Sequence, residues 1–296
     1  MTLMSPEQYL ESLKDGREVW FRGQRVDDVT VHPVIGKASR HAAIDYSVAD
    51  QPEHRDLAVY EEDGQKYSRY YKIPTSSDDL LKRSALIELC TSESDTPVTL
   101  IKEIGTDALF ALLAVTAEME NHVYYDRVRK FYEYCRNNDF AVAVAQTDVK
   151  GNRIKRPSEQ ADPDLYLRVV ERREDGVVVR GAKQHTSIST QAHEVIVLPT
   201  RAMGEGEEDW SIAFALPMNT PGIRLLASPF GDGPAPAGER PISAKHKMME
   251  TLTVFDDVFV PNERIFLDGE RDDARHAGCR RADGDGGSRP DHGRAG

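Results

Sequence analysis

The sequence predicts an α+β protein in which a mainly helical segment, residues 1–142, precedes a β domain, residues 143–268, and a disordered tail, residues 269–296, follows. Three observations lead there. Apolar residues recur at helical spacing between Ser76 and Cys135. After residue 140 the pattern changes to short β-branched runs separated by turn residues. Beyond Asp268 there is no Val, Ile, Leu, Met or aromatic residue, so the last stretch cannot bury enough apolar area to offset its ordering entropy.

The elements follow in chain order. Ser5 followed by Pro6 is an N-cap with proline at the first helical position, and Tyr9, Leu10 and Leu13 give that helix an apolar face. "GREVWFRGQRVDDVTVHPVI" predicts a hairpin: Val19 to Phe21, a turn at Gly23, then Val26 to Val31. "TSSDDLLKRSALIELC" predicts a helix capped by Ser76 or Ser77, with acids in its first turn and Leu80, Leu81, Leu86, Ile87 and Leu89 beyond. "TPVTLIKEIGTDALFALLAVTAEME" is the most apolar helical stretch, expected in the core and broken or bent near Gly105. "VYYDRVRKFYEYCRNND" is an amphipathic helix whose Val128, Phe131, Tyr132 and Cys135 face inward, an aromatic spacing that serves packing.

The β segment opens with "FAVAVAQTDVKGNR", an apolar run that stops in a polar turn. Strands are expected in "DLYLRVVERREDGVVVRGAK", with its Asp175-Gly176 hairpin signal, then in "EVIVLPT", "WSIAFALPM", "GIRLLAS" and "METLTVFDDVFVP". One stretch is unusual. "VVVRGAKQHTSIS" begins as a buried strand and ends in Lys183, His185, Thr186, Ser187 and Ser189. Those groups are either the solvent face of an edge strand or hydrogen-bond donors aimed at a polar ring system.

Composition narrows the function. A net charge of −12 argues against nucleic acid and against an anionic membrane surface. No apolar run reaches the roughly 18 residues of a membrane span, and the polar, acidic N-terminus does not read as a signal peptide. Three dispersed cysteines, Cys90, Cys135 and Cys279, form no Cys-x-x-Cys pair, which suits free thiols in a reducing, cytoplasmic setting. The nine histidines show no His-Glu-x-x-His spacing, so no metal site is expected.

Three stretches taken together, "EQYLESLKDGREVWFRGQRVDDVTVHP", "TDVKGNR...DPDLYLRVVERREDGVVVRGAK" and "VFDDVFVPNERIF", resemble the 4-hydroxyphenylacetate 3-hydroxylase family, which also contains 4-hydroxybutyryl-CoA dehydratase. The resemblance covers about residues 4–268. It implies an acyl-CoA-dehydrogenase-like flavoprotein fold and FAD as cofactor. It makes Gln146, Thr147, Asp148, Gly151 and Arg153, with His185, Thr186 and Ser187, the expected flavin-contacting positions. Backbone groups and short hydroxyls can meet the flavin's N5, O4 and N3 without crowding the ring. Glu250, in "METLTVF", matches an active-site carboxylate of the dehydratase and is the catalytic candidate.

Departures from the family pattern decide the subtype. The dehydratase branch carries two cluster-ligating cysteines where this chain has Thr99 and Glu103, neither of which supplies a thiolate. The hydroxylase branch places an Arg, a Tyr and a His where this chain has Asp95, Thr99 and Ala143, which withdraws support for 4-hydroxyphenylacetate itself. The resemblance thus implies a reduced-FAD-using monooxygenase acting on a phenolic or similar ring, served by a separate flavin reductase. The alternatives are an FAD-containing dehydratase or isomerase relative of CoA esters without the cluster, and a non-catalytic fragment. Family members form homo-tetramers through a large C-terminal helical domain that also completes the flavin site. The chain is expected to end before that domain and to hold flavin weakly, with residues 269–296 reading like a frameshifted continuation.

Overall fold

In a computed structural model of the chain, the described residues are 3–94, 101–229, 238–241, 244 and 247–269. The expected tail, from residue 270 on, lies outside them, as do Asp95 and Thr99.

Helix α1 (Pro6–Ser12) is capped as its sequence dictates: the Ser5 hydroxyl accepts from the Gln8 N–H, and the Gln8 side chain accepts from the Ser5 N–H. The first hairpin is β1 (Glu18–Phe21) and β2 (Gln24–Val26), turned through Arg22 and Gly23, both at positive φ. Its second strand stops at Val26, five residues short of the expected end. There the Asp28 carboxylate captures the N–H and hydroxyl of Thr30 and curls the chain, leaving Val31 73% exposed. Helices α2 (Ile35–Ala42), α3 (Ile44–Asp50) and α4 (Arg55–Ala58) follow, then a second hairpin, β3 (Val59–Glu62) and β4 (Gln65–Ser68).

Helix α5 (Ser77–Glu93) starts at the predicted cap, Ser76. Leu86 is buried, whereas Leu80 and Leu81 face solvent. Helix α6 (Glu103–Ala117) starts two residues before Gly105 and continues through it. That glycine lies in its first turn because a Cβ there would stand 2.4 Å from the Val142 carbonyl oxygen. Helix α7 (Val123–Asn137) buries Val128, Phe131, Tyr132 and Cys135 as its periodicity requires.

The rest is strand: β5 (Val142–Ala145), β6 (Arg168–Arg172), β7 (Gly176–Ser187), β8 (Glu194–Val197), β9 (Ile212–Pro217), β10 (Ile223–Pro229), β11 (Met249–Pro261) and β12 (Ile265–Asp268). They form a six-stranded sheet, β2-β1-β10-β11-β7-β6, and a four-stranded sheet, β12-β9-β8-β5. The sheets face each other, with Phe214 of β9 edge-on to Phe255 of β11. Helices α6 and α7 cover the other side of the smaller sheet, through Gly105 on Val142 and Phe131 on Phe266. The larger sheet takes its edge hairpin from the first 142 residues, since β1 runs parallel to β10. Among the described residues no helix is long and apolar enough to cross a membrane.

Candidate active site

Strand β7 builds the site through a change of phase. From Val179 to Lys183 it alternates: Val179, Gly181 and Lys183 are buried, while Arg180 and Ala182 are half-buried. Against β11, Lys183 pairs with Thr253 and Thr186 pairs with Thr251, so Gln184 and His185 together oppose Leu252. This is a β-bulge, and it re-aims the side chains that follow. His185 takes the left-handed conformation the bulge needs, at φ 57°, which histidine tolerates better than a β-branched residue. Thr186 then falls on the inner face with Thr251 and Thr253. Ser187 falls on the outer face opposite Glu250.

The polar turn after β5 is stitched to this bulge. The Gln184 N–H donates to the Thr147 carbonyl at 2.7 Å, and Lys183 Nζ donates to the Gln146 carbonyl at 3.1 Å. Lys183 Nζ also lies 2.8 Å from Asp148 Oδ1, with both side chains 2% exposed. Burial pushes the Asp148 carboxyl up and the Lys183 ammonium down, and their mutual attraction opposes both shifts. Asp148 is therefore an internal strut that also accepts the Leu167 N–H. It is not a solvated turn residue.

The outer face brings three of the candidate residues together. Ser187 Oγ donates to Glu250 Oε1 at 2.6 Å, and His185 Nδ1 lies 3.7 Å from Glu250 Oε2. Glu250 is largely buried, and Oε2 accepts no hydrogen bond among the described residues. One step along the same face, Trp20, Leu226 and Leu252 are register partners on β1, β10 and β11 and form an apolar row, with Leu226 39% exposed. On the inner face, Ser189, Thr251 and Thr253 form a chain of hydroxyl contacts at 2.7 and 2.8 Å. Thr186 Oγ1 is buried there without a hydrogen-bond partner among the described residues.

The structure thus groups His185, Ser187 and Glu250, and lays Gln146 and Thr147 beside them through β7. Thr186 belongs to the opposite face. Gly151 and Arg153 lie in the following loop, where Gly151 packs on Leu165 and Gln160 and Arg153 is exposed. Ala143 is buried within β5, and Glu103 opens α6. The candidate residues did not include Lys183, although its parity with Val177, Val179 and Gly181 marks it as inward-facing. They also omitted the Trp20 row, which depends on a parallel pairing between strands some 200 residues apart.

Comparison with known proteins identifies the family. The family described as "4-hydroxyphenylacetate 3-hydroxylase N terminal" matches residues 5–267. The 4-hydroxybutyryl-CoA dehydratase/vinylacetyl-CoA-Delta-isomerase of Clostridium aminobutyricum is 35% identical over 280 residues, covering 91% of this chain and 57% of that protein. The 4-hydroxyphenylacetate 3-monooxygenase oxygenase component of Thermus thermophilus is 33% identical over 270 residues, covering 88% and 54%. Among solved structures, a 4-hydroxybutyryl-CoA dehydratase from N. maritimus superposes with a TM-score of 0.84 at 29% identity, covering 93% of this chain and 56% of that one. A 4-hydroxyphenylacetate 3-monooxygenase oxygenase component complexed with FAD gives 0.81 at 31%, covering 93% and 57%. The chain spans about half the length of the curated relatives it matches.

Proposed function

The chain belongs to the 4-hydroxyphenylacetate 3-hydroxylase family and has its α+β, acyl-CoA-dehydrogenase-like fold, and on that premise we propose that it is part of a flavin-dependent monooxygenase that hydroxylates a phenolic ring. The observation that carries this reading is the outer face of the larger sheet. An apolar row, Trp20, Leu226 and Leu252, adjoins a polar row, Ser228, Glu250 and Ser187. A planar ring system needs such a bed together with a few placed polar groups.

FAD fits the residues present. The apolar row offers a surface for the isoalloxazine, and Gln146 and Thr147 stand along the rim beyond β7. Among the described residues, Glu250 Oε2 is a buried acceptor without a donor of its own. When bound, reduced FAD supplies the activation of O2 and the oxygen transfer. The chain's part is to bind, orient and exclude water: the leucines and Trp20 keep the ring face dry, and Glu250 holds a substrate O–H by accepting its proton side. A separate reductase supplies reduced flavin, as the names of relatives such as a FADH(2)-dependent monooxygenase suggest. A homo-tetramer and a cytoplasmic location complete the reading.

One observation favours the second reading, an FAD-containing CoA-ester dehydratase or isomerase relative. Glu250, which the family resemblance pairs with that enzyme's carboxylate, lies beside His185 and Ser187. Against it, Thr99 and Glu103 stand where the cluster thiolates would be. O2 uptake and product analysis with NADH, a flavin reductase, FAD and a phenol, together with iron and sulfide analysis, separate the two. Hydroxylated product without iron is expected. Stoichiometric iron and sulfide would overturn the monooxygenase reading.

A further inference from the structure

We propose that Ser187 is the positioning residue of Glu250, fixing its carboxylate so that Oε2 is the oxygen presented to a ligand hydroxyl or N–H. The inference rests on the reading of the outer sheet face as the reaction site. Its basis is geometric. Ser187 and Glu250 are direct register partners, and the Ser187 hydroxyl reaches Oε1 at 2.6 Å. A serine hydroxyl has a single proton. With that proton given to Oε1, Ser187 orients the carboxylate, while its own oxygen keeps lone pairs that can accept from a flavin N–H.

The bulge is what allows this. Without the extra residue, strict alternation from Lys183 would turn position 187 to the inner face and position 186 outward. With it, the hydroxyl of Ser187 meets Glu250, and His185 is carried past the end of the carboxylate, 3.7 Å from Oε2, too far for a hydrogen bond. Oε1 is therefore held by a strong, short contact while Oε2, buried, accepts nothing among the described residues. A glutamate has three side-chain torsions, and burial alone does not select one carboxylate orientation. Tying one oxygen removes most of that freedom, and the remaining oxygen recognises a donor and repels an anion.

The test uses the chain labelled with 13C in its glutamates, with the Glu250 side-chain signal assigned by its loss in Glu250→Gln. The proposal expects Ser187→Ala to lower the side-chain order of Glu250 measured by 13C relaxation, and Ser187→Thr to restore it, with little change in the urea midpoint. In the FAD-loaded protein with 4-nitrophenol as the probe phenol, Ser187→Ala should lower kcat about 10- to 100-fold with KM unchanged. Unchanged Glu250 order in Ser187→Ala overturns the positioning role, whatever the turnover. Normal turnover in Glu250→Gln, with a disordered carboxylate in Ser187→Ala, overturns the site reading and leaves the positioning role standing.

Discussion

Lys183 and Asp148 are an ion pair sealed between β7 and the turn that follows β5, so neither charge has water to fall back on. Removing one partner of such a pair costs far more than replacing both. Lys183→Met is therefore expected to destabilise the protein by about 3–5 kcal/mol in urea titration, and Lys183→Met with Asp148→Asn by clearly less. A single variant as stable as wild type would mean that the pair is not buried in solution. Asp45 is a second buried charge, at the start of α3. Burial, against the attraction of Lys102, raises its carboxyl to about 6. A carboxyl raised on folding favours the folded state only while protonated. Stability should thus fall as pH rises from the ordinary carboxylate range through about 6 and then level off. Asp45→Asn should gain on wild type by roughly 1–3 kcal/mol between pH 4 and pH 8 in urea midpoints. A difference independent of pH would contradict the burial. The family resemblance singled out Glu250 and Ser187, and the fold sets the two side by side as register partners. The strut role of Asp148 was not legible, because a turn aspartate looks the same whether its partner is water or a lysine 35 residues on.

At the scale of elements, local signals were read well where local chemistry decides. Ser5-Pro6 and Ser76 fix their helix starts, and Asp175-Gly176 marks the turn into β7. The Asp63-Gly64 turn carries the same signal and both residues have positive φ, yet the hairpin it joins was not anticipated, since its strands are short and polar. Gly105 was read as a breaker because glycine within a helix has that meaning in isolation. Its actual role, letting α6 approach β5, is a tertiary fact. Gly105→Ala should improve helix propensity by about 1 kcal/mol and still lower stability by about 1–3 kcal/mol through overpacking against Val142. A higher melting temperature for this variant would show that the contact is loose.

At the scale of the molecule, the sequence order of helices then strands was legible, and the layering was not. The larger sheet recruits β1 and β2 from the N-terminal segment by parallel pairing with β10. No local pattern announces a pairing across that separation. That recruitment is what sets Trp20 beside Leu226 and Leu252 and completes the apolar row next to Glu250. The chain has two tryptophans, Trp20 and Trp210. In Trp210→Phe the remaining indole reports from the proposed flavin bed, so the central claim reduces to one titration. Increasing FAD should quench Trp20 fluorescence saturably below about 1 mM, and Leu226→Glu, which sets a charge in the row, should abolish the saturable part. Quenching that never saturates, or that saturates equally with Leu226→Glu, would contradict the assignment of this sheet face to the flavin.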